Sequence, residues 1–240
     1  MVKYLQLFGE RCSGTNFTER TLSKNMENVE LTRDFGGKHW FIKGHHPRCR
    51  ANQSTDYQCI RPLSDSADTV FICLFRNPFD WLRSIHARPY HAPNHMGLTL
   101  TEFLRKPWHS YETSRLDPRW PIRQDGYWFI EEAKNILRLR TEKIQHLLKL
   151  QDRVENVCFL TYESIRDDID LIGTLAHQFR IKLKYPYILE EQKHFGRSGN
   201  VEFSPRKHPP ISTEDLEFIR RELNWEIEGR IGYHSENYQD

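Results

Sequence analysis

The sequence holds no C-x-x-C pair. Its five cysteines, Cys12, Cys49, Cys59, Cys73 and Cys158, are odd in number and widely scattered, which excludes a disulfide framework and points to a reducing compartment. His45, His46, Cys49 and Cys59 fall close together, but their spacing fits neither a zinc finger nor a zinc ribbon, so no metal is expected. Long apolar runs are lacking too. The longest, VFICLF at Val70 to Phe75, is far short of the ~20 residues that cross a bilayer, so no membrane span is expected. Neither sign of charge dominates: 35 Lys and Arg against 33 Asp and Glu leave a net +2, which excludes a nucleic-acid partner held by overall charge. The amino terminus, MVKYLQLFGERC, turns polar after Phe8 and has no small-residue cleavage site, so no signal peptide is expected and the cytoplasm is the expected location.

What is present is the material of a globule. With 240 residues and 12% aromatics the chain can bury one sizeable core, and a single domain spanning 1–240 is expected. VKYLQLF (Val2 to Phe8), HWFIKG (His39 to Gly44), DTVFICLF (Asp68 to Phe75) and NVCFLTY (Asn156 to Tyr162) read as strands. The third is almost continuously apolar, as a parallel strand covered on both faces must be. Helices are expected over TNFTERTLSKNM, over RNPFDWLRSIHA with Pro78 in its first turn, and as one long element from Gly126 to Gln151. Two more are expected over ESIRDDIDLIGTLAHQF and over STEDLEFIRREL, the latter capped by Ser212 or Thr213. The alternation predicts an α/β fold, a mostly parallel central sheet flanked by helices. Between about 86 and 127 the chain is rich in Pro, His, Trp and Tyr, with a short helical pattern near LTLTEFLRK; this insertion is read as an acceptor site.

One more absence raises the functional question. In LFGERCSGTNF, Gly9 and Gly14 have the G-x-x-x-x-G spacing of a phosphate-binding loop between strand and helix. Yet Thr15 and Asn16 stand where an ATP-binding loop carries Lys and then Ser or Thr. The strand at Asp68 to Phe75 ends in Arg76, so a cation stands where a metal-binding carboxylate is usual. A glycan on the sequon at Asn16 would block this loop, which fits a chain that does not pass through the secretory route; a second sequon lies at Asn52.

These residues resemble the sulfotransferases that use 3′-phosphoadenosine 5′-phosphosulfate. Ser13, Gly14 and Thr15 match the SGT core that binds the donor's 5′-phosphosulfate in that family. Arg76, Pro78 and Ser84 match its R-x-P element with a serine eight residues after the arginine, which binds the 3′-phosphate. KGHHP places Lys43, His45 and Pro47 at the spacing of its K-T-H-x-P element. LTYES resembles the segment that sets a tyrosine near the adenine, giving Tyr162, and FGRSGN resembles the late loop near the 3′-phosphate, giving Arg197, Ser198 and Gly199. The chain departs from the family at Cys12, where Lys or Arg is usual, with Arg11 one position earlier.

The resemblance implies sulfuryl transfer to a hydroxyl acceptor, with adenosine 3′,5′-bisphosphate as the product and no metal; the polar, aromatic insertion points to a carbohydrate or other small molecule as that acceptor. His45 would be the general base, and Lys43 and Arg11 would stabilise the oxygens that gain charge. The 5′-phosphate would rest on the loop from Arg11 and Cys12 through Ser13, Gly14, Thr15 and Asn16. Two other readings remain open: a nucleotide kinase or NTPase of the phosphate-loop class, and a non-catalytic nucleotide-binding member of the fold.

Overall fold

The computed structural model describes residues 1–39, 61–89, 92–111, 129–184, 193–194, 201–202 and 208–238. Along the chain these form β1 (Tyr4–Gly9), α1 (Thr15–Asn25), β2 (Met26–Glu27), β3 (Glu30–Leu31), β4 (Thr69–Phe75) and α2 (Pro78–Ala87). There follow α3 (Leu100–Arg105), β5 (Trp108–Tyr111), β6 (Phe129–Ala133), α4 (Ile136–Leu148), β7 (Val157–Thr161), α5 (Tyr162–Asp167) and α6 (Leu171–Phe179). The last elements are β8 (Lys182–Leu183), β9 (Lys193–His194), β10 (Val201–Glu202), α7 (Thr213–Glu222) and α8 (Trp225–Gly229). In their described parts, Met1–Trp40, Cys59–Asn77 and Leu150–Pro209 form one compact unit, and Pro78–Lys149 with Pro210–Asp240 form a second.

The first unit is the α/β part. Its four-stranded sheet is parallel throughout, in the order β3-β1-β4-β7, and helices flank it. All of β4 is buried, which is the structural meaning of its unbroken apolar run. Val70, Ile72 and Leu74 turn to the face shared with Leu5 and Leu7 of β1, Cys158 and Leu160 of β7, Leu22 of α1, Ile165 of α5 and Leu175 of α6. Phe71 and Phe75 turn to the other face. There Phe71 stacks on Phe8 at 6.2 Å and meets Phe35 edge-on at 4.9 Å, while Phe75 stacks on Phe159 at 6.4 Å. Each fully buried chain of this size contributes about 1.5–3 kcal/mol, so both layers are needed to hold the sheet.

Two expected helices are divided. Asp168 is extended, at φ −134°, and its carboxylate accepts the Asp170 amide at 3.0 Å, so the chain over 163–179 breaks between α5 and α6. Aspartate competes in this way with helical backbone bonds. The helix expected over 126–151 begins only at Ile136, because Phe129–Ala133 pair antiparallel with β5. Phe129 and Ala133 are four residues apart, a spacing that helix and strand share. Asn135, extended at φ −160°, then caps α4 by accepting the Arg138 amide at 2.9 Å. His39 lies in a turn; the rest of the strand expected over 39–44 falls outside the described residues.

In the second unit three rings of the stretch expected to form the acceptor insertion, His95, Phe103 and Trp108, are buried. His95 and Trp108 are 1% and 0% exposed, their rings 4.6 Å apart, and both meet Phe103. Burial, helped by the charges of Lys106 and His109, pulls the His95 pKa down to about 4, so this imidazole is neutral. These rings are core. α3 opens on a capping box between Thr99 and Glu102 and is tied to α7 through Asp215, which accepts from Arg105 at 2.6 Å and Thr101 at 2.7 Å. Burial alone would raise the Asp215 pKa, but these hydrogen bonds outweigh it and hold the carboxyl below its ordinary 3.8. The stabilisation is therefore complete above pH 3.8 and is lost as pH falls through the lowered folded value. Asp215→Asn is expected to cost about 1–2 kcal/mol at neutral pH in urea unfolding. The difference from wild type should shrink as the pH is taken below that range; a difference that grows in acid would show the sign to be wrong.

Candidate functional site

The site residues of the first unit gather at the carboxyl ends of the parallel strands. β1 leads on to β3 at one side of the sheet and β4 leads on to β7 at the other, so the connections diverge between β1 and β4. Open α/β sheets bind ligands at such a point. The Gly9–Asn16 loop leaves the end of β1, Arg76 follows the end of β4, and Tyr162 follows the end of β7 as the first residue of α5.

The loop needs both glycines, for different reasons. A Cβ on Gly9 would stand 2.8 Å from the Leu74 carbonyl oxygen and 2.9 Å from Thr15 Cγ2, so the loop and β4 could not approach as they do. Gly14 has φ +90° and ψ 12°, left-handed backbone, and a Cβ there would lie 2.2 Å from Cδ2 of Tyr162. Cys12 is left-handed too, at φ +65°, without being glycine. Ser13 is occupied inside the loop: its amide and hydroxyl both donate to the Glu10 carbonyl, at 3.2 and 2.6 Å. Both bonds shape the turn at the centre of the loop.

Beyond Gly14 the backbone turns outward-facing donors toward the same end. The first bond of the α1 ladder runs from the Thr18 amide to the Gly14 carbonyl at 3.0 Å, so the amides of Thr15, Asn16 and Phe17 precede it. No described side chain caps this terminus, and its first turn carries no acidic residue. Such an end attracts an anion through its amides and the helix dipole together.

Arg76 joins the parts. Its Nη1 donates to the Cys12 carbonyl at 2.9 Å, and its guanidinium lies 5.2 Å from the centre of the Tyr162 ring. Arg166 lies 5.6 Å from the same ring, and Phe17 meets it edge-on at 5.6 Å. Burial raises the Tyr162 pKa, against the opposing charges of Arg76 and Arg166, and the phenol stays neutral. The Asn77 amide donates to Glu163 at 3.2 Å, which fixes the turn after Arg76 against α5. Arg11 is 4% exposed and Thr15 is buried, whereas Asn16 is exposed at the mouth.

Of the residues singled out from sequence, Arg11, Cys12, Ser13, Gly14, Thr15, Asn16, Arg76 and Tyr162 share this region of the first unit. Ser84 belongs to α2 in the second unit and is half-buried. Lys43, His45, Arg197, Ser198 and Gly199 lie outside the described residues, as do His46, Cys49 and Cys59 of the rejected zinc cluster. Among the described residues no group of three or more His, Cys, Asp or Glu could hold a metal, and no helix is long and apolar enough to cross a membrane.

Two residues of the site have no sequence signal. The Lys38 carbonyl accepts the Gly9 amide at 2.8 Å, and His39 Nδ1 lies 2.9 Å from the Gly9 carbonyl, so this turn brackets the start of the loop. Nothing in the local pattern of GGKHW links it to a glycine thirty positions earlier. Comparison with models of known protein families gives no match, and comparison with curated protein sequences gives none.

Proposed function

We propose that this chain is a sulfotransferase that moves a sulfuryl group from 3′-phosphoadenosine 5′-phosphosulfate to a hydroxyl acceptor. The observation that carries the reading is the left-handed Gly14 turn into an uncapped, acid-free helix terminus with Arg76, a cation, at the end of the adjacent strand. An NTPase would place a magnesium-binding carboxylate at such a strand end. In this reading the amides at the start of α1 hold the 5′-phosphosulfate, Tyr162 meets the adenine, and Arg76 takes the 3′-phosphate. His45 removes the acceptor proton as the sulfur is attacked in line, while Lys43 and Arg11 meet the charge that develops on the leaving phosphate oxygen. A carbohydrate is the proposed acceptor, a role at the 3′-phosphate is proposed for Arg197, Ser198 and Gly199, and the cytoplasm is the proposed location.

Calorimetric titration tests the donor site. Wild type should bind adenosine 3′,5′-bisphosphate well ahead of adenosine 5′-monophosphate, and ahead of ATP with magnesium. Arg76→Ala should weaken the bisphosphate about ten- to hundredfold, the worth of a charge-assisted contact, and leave the monophosphate nearly unchanged. Equal weakening of both ligands would mean that Arg76 only braces the loop through Cys12. A wild-type preference for ATP with magnesium would replace this reading with the kinase one.

A further inference from the structure

The loop lacks the lysine that phosphate-binding loops carry, yet a lysine stands beside it. Lys38 Nζ donates to the Asn16 side-chain oxygen at 2.5 Å and to Glu19 at 2.6 Å. In G-x-x-x-x-G-K-[S/T] loops the residue two after the second glycine is the hydroxyl that holds magnesium beside the phosphates. Asn16 has that position here, so the Lys38 ammonium occupies the neighbourhood that a metal ion has in an NTPase.

The placement is built rather than casual. The Lys38 carbonyl and the His39 ring hold the two sides of the Gly9 peptide, so the backbone under Lys38 is anchored to the loop it serves. Its side chain is only 16% exposed. Glu19, 11% exposed, takes Lys38 on one carboxylate oxygen and Arg33 on the other. Two cations thus face one carboxylate, and Arg20 adds a third positive charge nearby, so the cluster as a whole is positive.

We infer that Lys38 supplies from outside the loop the cation that the loop lacks, and binds the 5′-phosphate side of an anionic nucleotide at the start of α1. The inference rests on the donor reading above and narrows it to one side of the ligand. The long, flexible stem lets the ammonium turn from Asn16 to a phosphate oxygen while Glu19 remains within reach. Burial lowers the Lys38 pKa, with Glu19 acting against it, so the ammonium is poorly hydrated and is exchanged onto an anion at little desolvation cost.

Paired nucleotides separate this role from the rest of the site. Calorimetry would compare adenosine 3′,5′-bisphosphate with adenosine 3′-monophosphate, which has no 5′-phosphate, on wild type, Lys38→Gln and Lys38→Arg, with and without magnesium. Lys38→Gln should weaken the bisphosphate about ten- to hundredfold and leave the 3′-monophosphate within about twofold, and Lys38→Arg should recover most of the loss. Wild-type affinity should not change with magnesium. Glu19→Gln gives a second measure where Lys38→Gln folds poorly: with the competing carboxylate gone, bisphosphate affinity should rise. Bisphosphate binding untouched in Lys38→Gln, or unchanged in Glu19→Gln, overturns the inference while the donor reading stands. Wild type that binds neither adenosine phosphate overturns the donor reading itself.

Discussion

Gly14→Ala is expected to abolish useful binding of adenosine 3′,5′-bisphosphate, with a loss of at least about hundredfold, the usual cost of moving binding groups by ~1 Å. Two independent effects act at this position. The backbone has φ +90°, where a residue with a Cβ pays about 1–2 kcal/mol. The new methyl would also stand 2.2 Å from Cδ2 and 2.8 Å from Cε2 of Tyr162, closer than carbon atoms can pack. Tyr162 cannot yield at no cost, because Phe17 packs against one edge of its ring and the guanidiniums of Arg76 and Arg166 lie near it. Either the ring moves and takes Arg76 from its carbonyl partner, or the loop moves and takes the first amides of α1 with it. Titration of the bisphosphate, with the melting temperature as a check on folding, reads both parts. In a Tyr162→Ala background the clash is gone and only the backbone strain remains, so Gly14→Ala should cost less stability there than it does in wild type. Near wild-type affinity in Gly14→Ala would mean that this turn is not where the nucleotide binds.

The largest stability effect is expected in the second unit. Arg140 is 1% exposed and pairs with Glu228, itself 0% exposed, through two bonds of 2.6 and 2.8 Å, with Trp81 4.9 Å from the guanidinium. Glu228→Gln keeps the shape but removes the carboxylate that meets this buried cation through two bonds, at a cost of about 3–5 kcal/mol. Against a total stability of about 5–15 kcal/mol, that loss threatens the fold of this unit at body temperature. Urea denaturation would show it as a fall in midpoint. Replacing both partners at once, with Arg140→Met and Glu228→Leu, should recover most of the loss, because an apolar pair of similar volume needs no counter-charge. A single variant as stable as wild type would show that water reaches the pair.

Elements whose cause is local were legible in the sequence. The buried run Val70 to Phe75 could only be a covered strand, Pro78 opens α2 as its missing amide requires, and Ser212 caps α7 by accepting the Asp215 amide. The α/β class with a parallel sheet followed from the order of those elements. The loop from Arg11 to Asn16 was visible because the spacing of Gly9 and Gly14 is a backbone requirement that leaves its mark on residue type. Arg76 stood out because it ends the apolar strand run, whereas Tyr162 was singled out only through the resemblance of LTYES.

Other features depended on partners that no local pattern names. Phe129 and Ala133 fitted a helix until β5 offered them a ladder, and Asp168 broke a helix with a bond to its own backbone. The rings of His95 and Trp108, inside the stretch expected to form an acceptor site, pack on each other and on Phe103, a contact no local pattern shows. Lys38 reached Asn16 from twenty-two positions away, and Glu228 met Arg140 across eighty-eight. The sequence by itself determined where β1, β4, β7 and the glycine loop fall, because backbone sterics and burial act on each residue and its neighbours. Only the tertiary structure decided which charges stand beside that loop, because a charge's partner is chosen by the path of the whole chain.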